Sequence, residues 1–244
     1  MQTSCTMPQR MSVATDQVQV WHAPLDIHPS ELDRLEQTLA SDEISRARRF
    51  RHLTDRQRFV ACRGILREML SRFIDRSPTE IEFCYGPRGK PRLRSDEESH
   101  PLRFNVSHSY GLAVFAIAHD REVGVDIERF EASLEWQEIA ESVFSAEEVN
   151  ALHSLPAKYR TEAFLNSWTC REALAKARGH GLSLPLDEVE TPHSPDGSWS
   201  FLPSRNSRES SRWILKAFTP MDGYVGALAV EGTGWQITCG QWRE

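Results

Sequence analysis

Residues 111–118 read Gly-Leu-Ala-Val-Phe-Ala-Ile-Ala, and residues 224–231 read Tyr-Val-Gly-Ala-Leu-Ala-Val-Glu. Each is a near-continuous apolar run of strand length. The likeness extends outward from them. Ala61-Cys62-Arg63-Gly64 is echoed 108 residues on by Thr169-Cys170-Arg171-Glu172, both in helical patterns with a phenylalanine upstream (Phe59, Phe164). Pro87 and Gly89 are answered at the same spacing by Pro195 and Gly197. This repetition predicts two related halves of about 110 residues, each a helix followed by strands. The predicted class is α/β of the α+β kind: a pseudo-dimer whose halves are each a helix packed on a small, mostly antiparallel sheet. The halves read as 16–119 and 120–244, after a disordered start over 1–15. The cleft between them is the natural place for a ligand.

Local patterning fills in the elements. Strands are expected over 18–22, 81–85, 103–106, 113–118, 123–128, 213–218, 225–230 and 235–239. Helices are expected from Ser30 to about 40, from Ser41, from Thr54 or Asp55 to about 73, and over 133–143, 146–152 and 158–177. The last should stop at Gly179 and Gly181. Residues 194–211, rich in Ser, Pro and Arg, read as a loop or hairpin.

Charge divides the halves. The segment 46–72 holds nine arginines and two acids, whereas 120–148 holds ten acids and two arginines. A basic surface facing an acidic one suits an anionic ligand held together with a cation. The net charge of −6 argues against a nucleic-acid binder resting on the arginine run alone. The longest apolar run, 111–118, is far short of the ~18 residues of a membrane helix, so no membrane partner is expected. The start has no signal-peptide core, and the five cysteines form no CxxC pair, so a cytoplasmic protein is expected.

Four stretches carry chemistry. In Val123-Gly-Val-Asp126-Ile-Glu128, strand alternation puts both carboxylates on one face, where they suit a hard cation. The same pattern fits an edge strand with a wet face. On the helix 162–178, Trp168, Glu172 and Lys176 share a stripe, apart from the packing stripe Ala163, Ser167, Cys170, Leu174 and Ala177. A Glu–Lys pair at that spacing can equally be a surface pair. In Phe104-Asn-Val-Ser107-His108-Ser109, neighbouring Ser and His point to opposite faces, which disfavours a hydrolytic Ser–His pair and leaves phosphate contacts or a capped strand end with a satisfied histidine. Gly86-Pro-Arg-Gly-Lys90-Pro91 lacks P-loop spacing but can present Lys90 as a point charge.

Their order along the chain is more informative than any one of them. Gly-Lys90-Pro91, Asn105-x-Ser107-His108-Ser109, Gly124-x-Asp126-x-Glu128, Phe144-Ser145-x-x-Glu148, Trp168-x-x-Arg171-Glu172-Ala173-x-x-Lys176 and Gly179-x-Gly181-Leu182 follow one another. This series resembles the 4′-phosphopantetheinyl transferase superfamily, in its longer, surfactin-synthetase-activating (Sfp-type) branch. The resemblance implies transfer of phosphopantetheine from coenzyme A to a serine of an apo acyl, peptidyl or polyketide carrier protein, with release of 3′,5′-ADP. It implies that Asp126, Glu128 and Glu172 hold Mg²⁺ (or Mn²⁺) and that Glu172 and Lys176 are catalytic. Lys176, Lys90, Ser107 and His108 would contact the nucleotide, with Arg46 and Arg58 at its 3′-phosphate end. Arg171 departs from the lysine often found there. The resemblance fits a monomer that acts without nucleic acid or membrane. The alternative in the same residues is a metal-dependent phosphohydrolase on a nucleotide-type diphosphate, with water as acceptor.

Overall fold

The computed structural model describes residues 9–94, 101–179, 189–190, 200–203 and 212–243. The first part of the chain forms β1 (Gln17–Pro24), α1 (Pro29–Glu36), α2 (Ser41–Ala47), α3 (Leu53–Ile74), β2 (Phe83–Tyr85), β3 (Pro91–Leu93), β4 (Leu102–Ser109) and β5 (Leu112–His119). The rest forms β6 (Val123–Arg129), α4 (Gln137–Val143), α5 (Ala146–Ser154), α6 (Ala157–Arg178), β7 (Val189–Glu190), β8 (Ser200–Pro203), β9 (Trp213–Phe218), β10 (Tyr224–Glu231) and β11 (Gln236–Gln241). One sheet has the order β11-β1-β5-β4, the second β6-β10-β9-β8-β7, and β2 and β3 form a two-stranded sheet. Every pairing is antiparallel except β1 with β11.

The two apolar runs explain the layering. On β5, Ala113, Phe115 and Ile117 pack with Ala61, Ile65 and Met69 of α3, whereas Val114, Ala116 and Ala118 pack with Val125, Leu228 and Val230 of the second sheet. On β10, Ala227 and Ala229 turn to Cys170, Ala173 and Leu174 of α6. The order is therefore helix, sheet, sheet, helix. A strand covered on both faces needs apolar residues at every position, so neither run alternates. Helices α3 and α6 are each 22 residues long and each ends on a left-handed residue, Asp75 at φ 55° and Gly179 at φ 71°. This is the expected helix-on-sheet plan in both halves.

The second half also lends a strand to the first, which the sequence did not suggest. Strand β11 adds to β1, and just beyond it the Trp242 amide donates to His22 O at 2.8 Å. The expected disordered start is not seen from residue 9 on. Met11 and Val13 lie in the α3 core, and the Met11 amide donates to Arg72 O at 2.9 Å. Helix α1 begins at Pro29 rather than Ser30, since proline suits the first helical position and His28 accepts from the Ser30 amide at 3.3 Å. Helix α4 is shorter than expected, because Trp136 is buried just before it and stacks on Phe164. Strand β8 lies in the stretch expected as loop or hairpin. Gly181, Leu182, Pro195 and Gly197 fall outside the described residues. Among those described, no helix is long and apolar enough to cross a membrane.

Candidate active site between the sheets

Strands β4 and β6 are edges of different sheets and lie side by side. Side chains join them in place of a backbone ladder. Asn105, Ser107 and Ser109 fall on one face of β4 by strand alternation. Asn105 Oδ1 accepts from the Val125 amide at 2.9 Å. The Ser107 hydroxyl donates to Asp126 Oδ1 at 2.8 Å. The Ser109 hydroxyl donates to Glu128 Oε2 at 2.8 Å and accepts from the Arg129 amide at 3.2 Å.

On β6, Val123, Val125 and Ile127 enter the core between the sheets. Its other face carries Gly124, Asp126 and Glu128 and lies under α6. A Cβ on Gly124 would stand 2.0 Å from Ala173 O and 2.4 Å from the Ala177 nitrogen, so the helix backbone rests directly on the glycine. This close approach brings Glu172 and Lys176 over the carboxylates. Lys176 Nζ donates to Asp126 Oδ1 at 2.6 Å and to Ser107 Oγ at 2.9 Å.

The carboxylates feel one another. Burial, then the charge of Asp126, pushes the Glu172 pKa above the usual carboxylate range, with Glu128 adding to it and Lys176 opposing it. Burial also raises Glu128, opposed by the Ser109 hydrogen bond and assisted by Asp126. Asp126 Oδ2 is buried and has no hydrogen-bond partner among the described residues. Among the described residues no three His, Cys, Asp or Glu side chains form a ready metal cage, and Lys176 is bound to Asp126 Oδ1. The donor set still fits a hard divalent cation: oxygen ligands, one of them orphaned, with more negative charge than one ammonium offsets.

Cations crowd the other side. Burial lowers the His108 pKa, and Lys176, Arg46 and Arg58 lower it further, so these four groups lie together. Arg58 is gripped by Asp26 through two bonds, Nε to Oδ1 at 2.7 Å and Nη2 to Oδ2 at 2.9 Å. Gly111 makes room for that carboxylate, since a Cβ there would stand 2.5 Å from Asp26 Oδ2. Arg46 lies over the Phe59 ring at 5.3 Å. Beside it a cavity of about 860 Å³ is lined by Arg46, Arg49, Phe50, Phe59, Arg63 and Tyr85.

The structure thus gathers Asp126, Glu128, Glu172, Lys176, Ser107, His108, Arg46 and Arg58. Lys90 is placed differently. Its ammonium donates to Glu122 Oε2 at 2.8 Å, Ala177 O at 2.9 Å and Val123 O at 3.1 Å, which accounts for all three of its protons. It clasps the β2–β3 hairpin to β6 and the end of α6, and Glu122 also binds Arg92 and Arg103. Arg171 is structural as well, paired with Glu148, which closes a capping box with Ser145 at the start of α5. Sequence reasoning placed Asn105 and Ser109 in a motif but gave them no role, and it missed Asp26 and Glu122. For the first two a signal existed: period-2 polar residues on β4 matching Gly124, Asp126 and Glu128 on β6.

The 4′-phosphopantetheinyl transferase superfamily profile matches residues 122–229, and the profile for the N-terminal part of 4′-phosphopantetheinyl transferases matches residues 26–120. The chain belongs to the 4′-phosphopantetheinyl transferase superfamily. Within it the chain stands in the Sfp-type branch. It is 37% identical to the 4′-phosphopantetheinyl transferase HetI of Nostoc sp. PCC 7120 over 94% of both chains. It is 31% identical to the 4′-phosphopantetheinyl transferase Sfp of Bacillus subtilis, over 72% of this chain and 77% of that one. The solved holo-[acyl-carrier-protein] synthase of Thermotoga maritima matches over 45% of this chain and 62% of that one, at 21% identity and a TM-score of 0.34. The phosphohydrolase alternative finds no support among these relatives.

The raised carboxyl groups have a consequence for pH. Glu128 and Glu172 should take up protons above the usual glutamate value of about 4.3. Because their folded pKa values exceed the unfolded ones, the fold gains stability from them as pH falls through the raised values. A divalent cation held by these carboxylates would need their ionised forms, so its binding would weaken over the same interval. Replacing both with glutamine is expected to flatten this part of the melting-temperature profile. A profile unchanged by the double substitution would refute the assignment.

Proposed function

We propose that this protein transfers 4′-phosphopantetheine from coenzyme A to a serine hydroxyl of an apo carrier protein, releasing 3′,5′-ADP. The observation that carries this reading is the Lys176 ammonium between Asp126 and Ser107, where the acidic cluster meets the basic one. Coenzyme A is an anion along its nucleotide end and a diphosphate at its reacting centre, so its transfer asks for cations on one side and a metal seat on the other.

Asp126, Glu128 and Glu172 would hold the divalent cation. When bound, that ion neutralises charge on the diphosphate and polarises its oxygens. His108, Arg46 and Arg58 receive the 3′-phosphate, and the aromatic-lined cavity beside Arg46 suits the nucleotide base. His108, with its lowered pKa, works there as a neutral hydrogen-bonding group at neutral pH. Ser107 and Lys176 line the diphosphate. Lys176 releases Asp126 and turns its charge to the leaving phosphate. Glu172 takes the proton of the attacking serine. Lys90 serves by locking the strand and helix that carry these groups. We read the protein as a cytoplasmic monomer with one such site.

The test is direct. With coenzyme A, Mg²⁺ and a panel of apo acyl and peptidyl carriers, intact mass should report one phosphopantetheine added to at least one carrier, and none without coenzyme A. A panel left wholly unmodified, or 3′,5′-ADP formed equally with and without carrier, would defeat the proposal.

A further inference from the structure

Ser109 is the third member of the polar alternation on β4 and has no part in the scheme above. It is 7% exposed, so water does not compete for its hydroxyl. The Arg129 amide donates to its oxygen at 3.2 Å, and its proton goes to Glu128 Oε2 at 2.8 Å. A serine hydroxyl has one proton, so this amide contact leaves it facing Glu128. Glu128 needs such a restraint. It sits one residue from the end of β6, only part-buried, on a side chain with three rotors. Asp126 repels it, and nothing on its own strand stops it from turning out to water. One rung away, Ser107 makes the matching bond to Asp126, but its oxygen is also bound by Lys176. Besides Glu128, Ser109 serves only the Arg129 backbone amide, and no charged side chain is recorded on its oxygen among the described residues.

We infer that Ser109 is a positioning residue, whose hydroxyl holds the Glu128 carboxylate beside Asp126 in readiness for a divalent cation. The role deepens the proposed function and rests on its assignment of Glu128 as a cation ligand. Groups that orient a metal ligand from outside commonly contribute about 10- to 100-fold to metal affinity.

The experiment titrates the full-length protein with Mn²⁺ alone, reading free Mn²⁺ by electron paramagnetic resonance with no carrier present, so that no turnover enters. Ser109→Ala should weaken Mn²⁺ binding about 10-fold or more. Ser109→Thr, which keeps the hydroxyl, should stay near the wild type, and metal-free coenzyme A binding should change in neither. If Ser109→Ala unfolds, Ser109→Cys, of similar size and a weak donor, stands in under the same criteria. Wild-type Mn²⁺ affinity in the Ala or Cys variant, with Glu128→Gln impaired, would overturn the role of Ser109 and leave the cation site intact. Wild-type affinity in Glu128→Gln as well would overturn the cation assignment and this inference together.

Discussion

Asp126→Ala is expected to lower phosphopantetheine transfer by about a thousand-fold or more, while the chain remains folded. The size follows from what the carboxylate would do. A divalent ion at a reacting diphosphate contributes several kcal/mol of charge stabilisation, and each ~1.4 kcal/mol is tenfold in rate. Of the three acids, Asp126 is the most enclosed, at 4% exposure, and its Oδ2 has no other partner among the described residues. The fold should survive because neither partner is trapped. Ser107 keeps its bond from Lys176, and the Lys176 side chain is 29% exposed and can turn to water. The stability lost should therefore resemble a broken hydrogen bond, about 1–3 kcal/mol, rather than an abandoned buried charge. Asp126→Asn separates charge from packing. It keeps the volume and the Ser107 contact, should melt closer to the wild type, and should transfer no better than the alanine variant. Single-turnover transfer measured by intact mass, alongside urea denaturation, tests both. An asparagine variant with near-native transfer would show that the charge of Asp126 is not needed.

Particular residues show why some of this was legible and some was not. The two apolar runs were readable because β5 and β10 are covered on both faces, which leaves no polar position to blur the pattern. Asp126 and Glu128 were readable as a pair because strand alternation alone puts them on one face. Glu172 and Lys176 were placed on one helical stripe for the same kind of reason, but their meeting with β6 depends on Gly124, whose meaning appears only when α6 lies on it. The pairing of β11 with β1 joins opposite ends of the chain, and no local pattern encodes such a register. The destination of Lys90 was hidden for a like reason: Glu122 and Ala177 lie far from it in sequence. The parts given to Arg46 and Arg58 came from family resemblance, since nine arginines in one segment cannot be told apart by spacing. What singles out Arg58 is Asp26, 32 residues upstream.

Gly124 is the point at which fold and chemistry meet, and Gly124→Ala is expected to cost far more than one methyl group usually does. Its backbone conformation is one that any residue can adopt, so the penalty is contact and not dihedral strain. The new Cβ would lie 2.0 Å from Ala173 O and 2.4 Å from the Ala177 nitrogen, both backbone atoms that no rotamer change can move. Restoring ordinary contact requires α6 to withdraw by about 1 Å or more. Overpacking of this kind costs about 1–3 kcal/mol of stability. The effect on activity should be larger. Glu172 and Lys176 are the immediate neighbours of Ala173 and Ala177 on α6, so they retreat with it and the Lys176 bond to Asp126 at 2.6 Å lengthens. A misplacement of about 1 Å can cost about 100-fold in rate. The expected result is a folded enzyme with transfer reduced about 100-fold, weaker Mn²⁺ binding and a lowered melting temperature. Gly86→Ala is the control: among the described residues its Cβ would meet only Lys90 O, at 3.7 Å, and it should leave transfer unchanged. A Gly124→Ala enzyme as active as the wild type would mean that the spacing between α6 and β6 does not set the geometry of the reaction, and that Glu172 and Lys176 do not act from where the helix holds them.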